Sequence, residues 1–161
     1  MIVFEGLAGV GKSTQIELLN RFLVSRRHDV VVMRFPDKLT PIGMLLDTPL
    51  DPKVRRLLML ANRQEAVECI RGLLKSGVWV LVETFDIGGR AREGGDGATD
   101  IVADATVFID ADTTVVGIEN YRAQMRLREA YESMSNDMRT VSGDGTPTEV
   151  HGRVLRACGL A

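Results

Sequence analysis

The chain has 161 residues, 45% hydrophobic and 26% charged, enough for a buried core without disulfide or metal staples. A formal net charge of −2 gives no basic field for nucleic acid, and Cys69 and Cys158 lack metal-ligand spacing and read as small apolar residues in a reducing compartment. No apolar run reaches the ~18 residues of a membrane span, and the opening "MIVF" is strand-like rather than a signal peptide, so the expectation is a soluble, cytoplasmic protein with neither membrane nor nucleic acid as partner.

Ile2 to Glu5 is a short apolar run ending at Gly6, the pattern of a buried strand. From Ser13 to about Arg26, Ile16, Leu19, Phe22 and Leu23 recur at helical spacing, and the cationic Arg26, Arg27 and His28 suit a helix C-terminus. "DVVVMRF" predicts a strand that Pro36 stops, and Thr40 followed by Pro41 predicts the N-cap and first position of a short helix. After "DPKV", the residues Val54, Leu57, Leu58, Ala61, Val67, Ile70, Leu73 and Leu74 form the apolar stripe of a long helix that Gly77 ends. "VWVLVE" reads as a further buried strand. Residues 86–100 contain five glycines and no apolar period, which predicts a loop. "ATVFID" is a fourth strand, Thr113 to about Met134 a helix, "MRTVS" a weak fifth strand and Thr148 to Cys158 a last helix. Strands apolar on both faces, alternating with helices, predict a doubly wound α/β fold around a parallel sheet.

Gly6-Leu7-Ala8-Gly9-Val10-Gly11-Lys12-Ser13 matches G-x-x-x-x-G-K-[ST] without a mismatch, directly after a strand and at the start of an amphipathic helix. Glycines let backbone N–H groups turn inward around a β-phosphate, and the helix N-terminus adds its positive end. Lys12 is placed to reach β- and γ-phosphates, the Ser13 hydroxyl can ligate Mg²⁺, and Thr14 follows in the same turn. This makes the fold a three-layer P-loop NTPase fold, with a five-stranded parallel sheet and helices on both faces, in a single domain over residues 1–161. The loop alone leaves GTPase, motor, ATPase and kinase open.

Further segments narrow the choice. "IVFEGLAGVGKSTQ", "MRFPDKLTPIGMLL", "LLMLANRQEAVECIRGLLKSGVWVLVE" and "TPTEVH" together resemble the thymidylate kinase family in order and spacing over most of the chain, with 86–140 shortened. The resemblance implies transfer of the γ-phosphoryl group of ATP to a nucleoside monophosphate, dTMP above all, with Mg²⁺ as cofactor and a homodimer built through helices that flank the sheet. It implies that Arg34 in "RFP" binds the acceptor phosphate beside Phe35, and that Arg63 in "ANRQE" lies at the base edge. Met59, one helical turn earlier, would cover the ring, and Gly89 would line the same pocket. Glu83, at the end of the third strand, would serve metal and acceptor, so Ser13 and Glu83 form the expected metal pair.

Several positions depart from the family pattern. Ala8 stands where an acidic residue is usual, Met59 replaces a phenylalanine and Gln64 a tryptophan. Glu83-Thr84-Phe85 replaces Asp-Arg-Tyr, and Gly9 occupies the place of a P-loop basic residue. A transition-state arginine, worth about 10³–10⁵ in rate, must then come from a lid. Arg122 and Arg126 are the favoured candidates, with Arg128, Arg90 and Arg92 behind them. The departures keep two alternatives open: a kinase for another nucleotide or a deoxynucleoside, and a catalytically weak nucleotide-binding relative.

Overall fold

Short β-branched and aromatic runs with apolar residues at both odd and even positions can only be satisfied by burial on both faces, and the sheet does this. The computed structural model describes residues 1–93, 99–111 and 118–161. Among the described residues the chain runs β1 (Ile2–Glu5), α1 (Lys12–Ser25), β2 (Val30–Arg34), α2 (Pro41–Leu45), α3 (Pro52–Lys75), β3 (Trp79–Glu83), α4 (Asp86–Glu93), β4 (Ala105–Asp110), α5 (Ile118–Ser133), β5 (Arg139–Ser142) and α6 (Pro147–Ala157). The described strands form one sheet in the order β2-β3-β1-β4-β5, every neighbouring pair parallel.

Side-chain alternation sorts the core into layers. Ile2, Phe4, Leu81, Val107 and Ile109 point to one face, where Ile16, Leu19 and Leu23 of α1 and Val150 and Val154 of α6 cover them. Val3, Val80 and Val82 point to the other, against Ile70 of α3. Phe108 meets Tyr131 of α5 on that second face. The helix ends follow the residues that fix them: Thr40 accepts from Gly43 N, Asp51 from Lys53 N, and Thr146 forms a capping box with Glu149 ahead of Pro147.

Four expectations change. Residues 86–93 are a helix rather than the start of a loop, while 94–98 lie outside the described residues. The reason is packing, since both glycines of α4 sit where a Cβ would strike a neighbouring side chain. β2 is an edge strand and half exposed, so it is not apolar-buried on both faces. In the stripe of α3, Val54 and Leu57, both in its first turns, are exposed rather than buried. Cys69 is also exposed, while burial pushes the Cys158 thiol up to about 11 and keeps it inert. The helix expected from Thr113 is described from Ile118; Asp112 and 113–117 lie outside the described residues. No described helix is long and apolar enough to cross a membrane.

Candidate active site

The strands β1 to β4 end on Glu5, Arg34, Glu83 and Asp110, so the carboxyl edge of the sheet, where ligands bind in open α/β folds, is a row of charged residues. The glycine-rich loop rises from this edge. Leu7 and Val10 are buried and anchor it, while Ala8 and Gly9 face outward. Gly11 supplies the left-handed turn into α1, with φ of 92°. Lys12 is buried and arches back, its Nζ donating to the carbonyls of Gly6 (3.1 Å) and Leu7 (2.7 Å). Ser13 and Thr14 are exposed on the first turn of α1, whose unpaired N–H groups point the same way.

The register that pairs Arg34 with Glu83 sets both side chains at one place. The Ser13 hydroxyl donates to Glu83 at 3.0 Å from either carboxylate oxygen, and Arg34 Nε lies 3.0 Å from Glu83 Oε2. Glu83 is largely buried, whereas 64% of the Arg34 side chain is exposed, so the arginine can leave this pair for a ligand at little cost. The donor set also fits Mg²⁺. One hydroxyl and one carboxylate leave the remaining octahedral positions to water and phosphate oxygens, the usual arrangement for this ion. No cluster of three or more His, Cys, Asp or Glu side chains exists among the described residues, so a cage built wholly from protein is not offered.

The residues expected on the acceptor side lie on α3, on α4 and just after β2. Phe35 is buried against Phe85, ring centroids 5.1 Å apart, and its N–H donates to the Glu83 carbonyl. Arg63 is a buried cation, its Nε 3.7 Å from Asp86 Oδ1, with Gly89 close against its guanidinium. Met59 is half-buried one turn before it. Asp86 Oδ2 in turn accepts from Thr99 N (2.8 Å) and Oγ1 (2.6 Å).

The lid candidates separate. Arg122 and Arg126 are exposed on one face of α5, one turn apart. Arg128 is committed to Asp110 at 2.9 Å and to Glu132 at 3.4 Å. Arg90 faces Asp137 at 3.4 Å and lines a cavity of about 430 Å³ with Val3, Thr106 and Arg139 but no P-loop residue. The Arg92 side chain lies outside the described residues.

Sequence reasoning missed two buried polar residues here. Asn62, with no exposure, accepts from Asp37 N (2.7 Å) and donates to Asp37 O (3.1 Å) and Thr40 Oγ1 (2.8 Å), pinning the segment after Arg34 to α3. Glu5, also fully buried, accepts from Phe85 N (2.8 Å), Gly88 N (3.0 Å) and Tyr131 Oη (3.0 Å). For Glu5 the available signals were a charged residue closing an apolar strand and the Gly88-Gly89 pair downstream of β3.

A glycine-rich loop joining the first strand to the first helix, above the carboxyl edge of a parallel sheet, defines a P-loop nucleotide-binding α/β protein. The chain belongs to the thymidylate kinase family, whose model matches residues 4–139. A thymidylate kinase from Halothermothrix orenii is 31% identical over 191 residues, covering 93% of this chain and 91% of that protein. The thymidylate kinase of Dictyostelium discoideum is 34% identical over 103 residues, or 60% of this chain, and the human one 37% over 100 residues, or 58% of this chain. In those two matches the chain spans about half the relative's length, 46% and 47%. Among solved structures, thymidylate kinases from Candida albicans (TM-score 0.79, 23% identity, 96% of this chain and 88% of that one) and Ehrlichia chaffeensis (0.78, 23%, 96% and 95%) share the fold.

Proposed function

We propose that residues 1–161 act as a single P-loop kinase domain that transfers the γ-phosphoryl group of ATP to dTMP, in the cytoplasm and as a homodimer. The observation that carries this reading is Glu83, whose one carboxylate contacts Ser13 of the P-loop and Arg34 of the acceptor segment. A nucleotide's phosphates above α1 and a second phosphate at Arg34 would therefore be neighbours. Family membership points the same way, as do the thymidylate kinases described above.

The chemistry asks for alignment and charge neutralisation rather than covalent help. The P-loop N–H groups and the helix end hold the β-phosphate, and Lys12 swings from its two carbonyls to the transferring group. Arg34 exchanges Glu83 for the acceptor phosphate, Arg63 and Met59 face the base, and Arg122 or Arg126 closes over the γ-phosphate. The acceptor oxygen is already anionic, so no protein base is needed. When bound between Ser13 and Glu83, Mg²⁺ would neutralise phosphate charge.

Two measurements test the reading. A coupled assay across a nucleotide panel should show ATP-dependent turnover with dTMP preferred, and Lys12→Ala should lower kcat by about 10³-fold or more while the protein stays folded. Turnover by that variant at the wild-type rate would sink the kinase reading. Independently, dTMP should raise the melting temperature more than dCMP, dGMP or dAMP at equal concentration, by binding linkage. Met59 and Glu83, where the family carries other residues, favour one competing outcome, a different preferred acceptor; a ranking with dTMP last would establish it.

A further inference from the structure

We propose that Glu5 is a positioning residue, a buried carboxylate that ties the P-loop strand, helix α4 and the arginine-bearing helix α5 into one geometry. The proposal rests on the kinase reading above.

Packing alone does not account for this residue. Glu5 ends β1, one position before the P-loop, and is fully buried. A carboxylate taken out of water is costly unless donors surround it, and an apolar side chain would fill a strand end at no such cost. The donors it meets come from distant segments. Phe85 N immediately precedes α4 and Gly88 N lies in its first turn, where N–H groups have no partner inside the helix and the dipole favours an anion. Tyr131 Oη comes from α5; its ring is fully buried against Phe108, centroids 4.9 Å apart.

The glycines of α4 are fitted to this arrangement. A Cβ on Gly88 would overlap the Glu5 carboxylate, and a Cβ on Gly89 would overlap the Arg63 guanidinium. Helix α4 is thus held between a buried acid and a buried base, with the acid reaching on to α5. Tyr131 follows Arg122 and Arg126 by nine and five residues, roughly 7–14 Å along the same helix, so its anchor fixes the rotation at which those arginines stand. An error of about 1 Å at a reacting centre can cost roughly 10²-fold in rate, which gives such an anchor kinetic weight.

The two arms predict different kinetics. Tyr131→Phe keeps the ring and removes only the α5 arm, so kcat should fall about tenfold while KM for the preferred monophosphate stays within about twofold. Gly88→Ala displaces the carboxylate from α4, so KM and the equilibrium dissociation constant for that monophosphate should rise about tenfold with a smaller change in kcat. Glu5→Leu, of similar volume, should show both losses, and because it strands two backbone N–H groups and the Tyr131 hydroxyl its thermal stability should fall as well. Glu5→Gln, whose amide can accept from both backbone N–H groups and donate to Tyr131, should recover most of them. Wild-type kcat and KM in folded Glu5→Leu would overturn the proposal. So would equal changes of kcat and KM in Tyr131→Phe and Gly88→Ala, which decide the matter even if Glu5→Leu does not fold. Should the wild type bind monophosphate without transferring phosphoryl, the kinase reading fails alone, and the monophosphate affinities still test the α4 arm.

Discussion

Thr84 follows Glu83 at the carboxyl end of β3 with φ of 62°, and its N–H donates to the Phe4 carbonyl at 2.9 Å. A β-branched residue enters this left-handed region at a cost of about 1–2 kcal/mol, so the backbone here is dictated by its surroundings rather than by threonine. The side chain is mostly buried, its methyl against Gly88, and its hydroxyl offers a phosphate nothing like a guanidinium's fork. Thr84→Arg removes the β-branch at this strained position and adds a cation at the edge where ligands bind. Stability should be kept, and kcat/KM for dTMP should rise by roughly ten- to a hundredfold, the value of about 1.5–3 kcal/mol for a charge-assisted contact made in the transition state. Steady-state kinetics of Thr84→Arg, alone and with Glu83→Asp, decide this. A folded variant without gain means either that another arginine fills the role, to be sought by single substitutions of Arg90, Arg92, Arg122, Arg126 and Arg128, or that the pocket serves a different acceptor.

At the level of elements, the segment that follows Arg34 depends on one side chain of α3. Asn62 satisfies both backbone groups of Asp37 and the Thr40 hydroxyl from a fully buried position, just after the Arg34–Glu83 pair. Asn62→Leu leaves a donor and an acceptor of Asp37 without this partner, so it should lower stability by about 2–3 kcal/mol and raise KM for the acceptor more than it lowers kcat. Denaturant midpoints and kinetics at several dTMP concentrations check both halves. The same residue shows where sequence reading stopped. Helices α2 and α3 were legible because periodicity and end residues agree there: Thr40 starts α2 and Gly77 follows the end of α3, as expected. Asn62 carried no signal, because an amide within a helical stripe reads as solvated until the chain segment it binds is known. Helix α4 was hidden for the opposite reason. Its glycines argue locally for a loop, and only the Glu5 carboxylate and Arg63 guanidinium, brought in by β1 and α3, explain them. The P-loop, by contrast, is a contiguous motif whose physics is contained in its own eight residues.

On the scale of the whole molecule, the described surface leaves an apolar face uncovered. Met44 and Leu45 of α2 and Val54 and Leu57 of α3 are exposed, with Leu39 just before them. The two helices are braced at their junction by Arg55, whose guanidinium donates to the carbonyls of Leu46 (2.8 Å) and Thr48 (3.1 Å), so the face is a formed surface. Exposed apolar side chains on two adjoining helices suit a protein interface, and a twofold contact would use the same residues on both copies. If the homodimer forms here, Leu57, 65% exposed, would be buried once on each side. Leu57→Glu then loses about 1.5–3 kcal/mol of apolar burial per copy and sets two carboxylates near the axis, raising the dimer dissociation constant by roughly 10²-fold or more. Sedimentation velocity at micromolar concentration should find the wild type dimeric and the variant monomeric. Asn62 and Arg63 lie within two turns of Leu57 on the same helix, so the monomer should also bind dTMP more weakly, while its affinity for ATP, which the P-loop at the start of α1 would hold, should change little. A monomeric wild type would remove this assignment of the face, and a dimeric variant would move the interface elsewhere on the molecule.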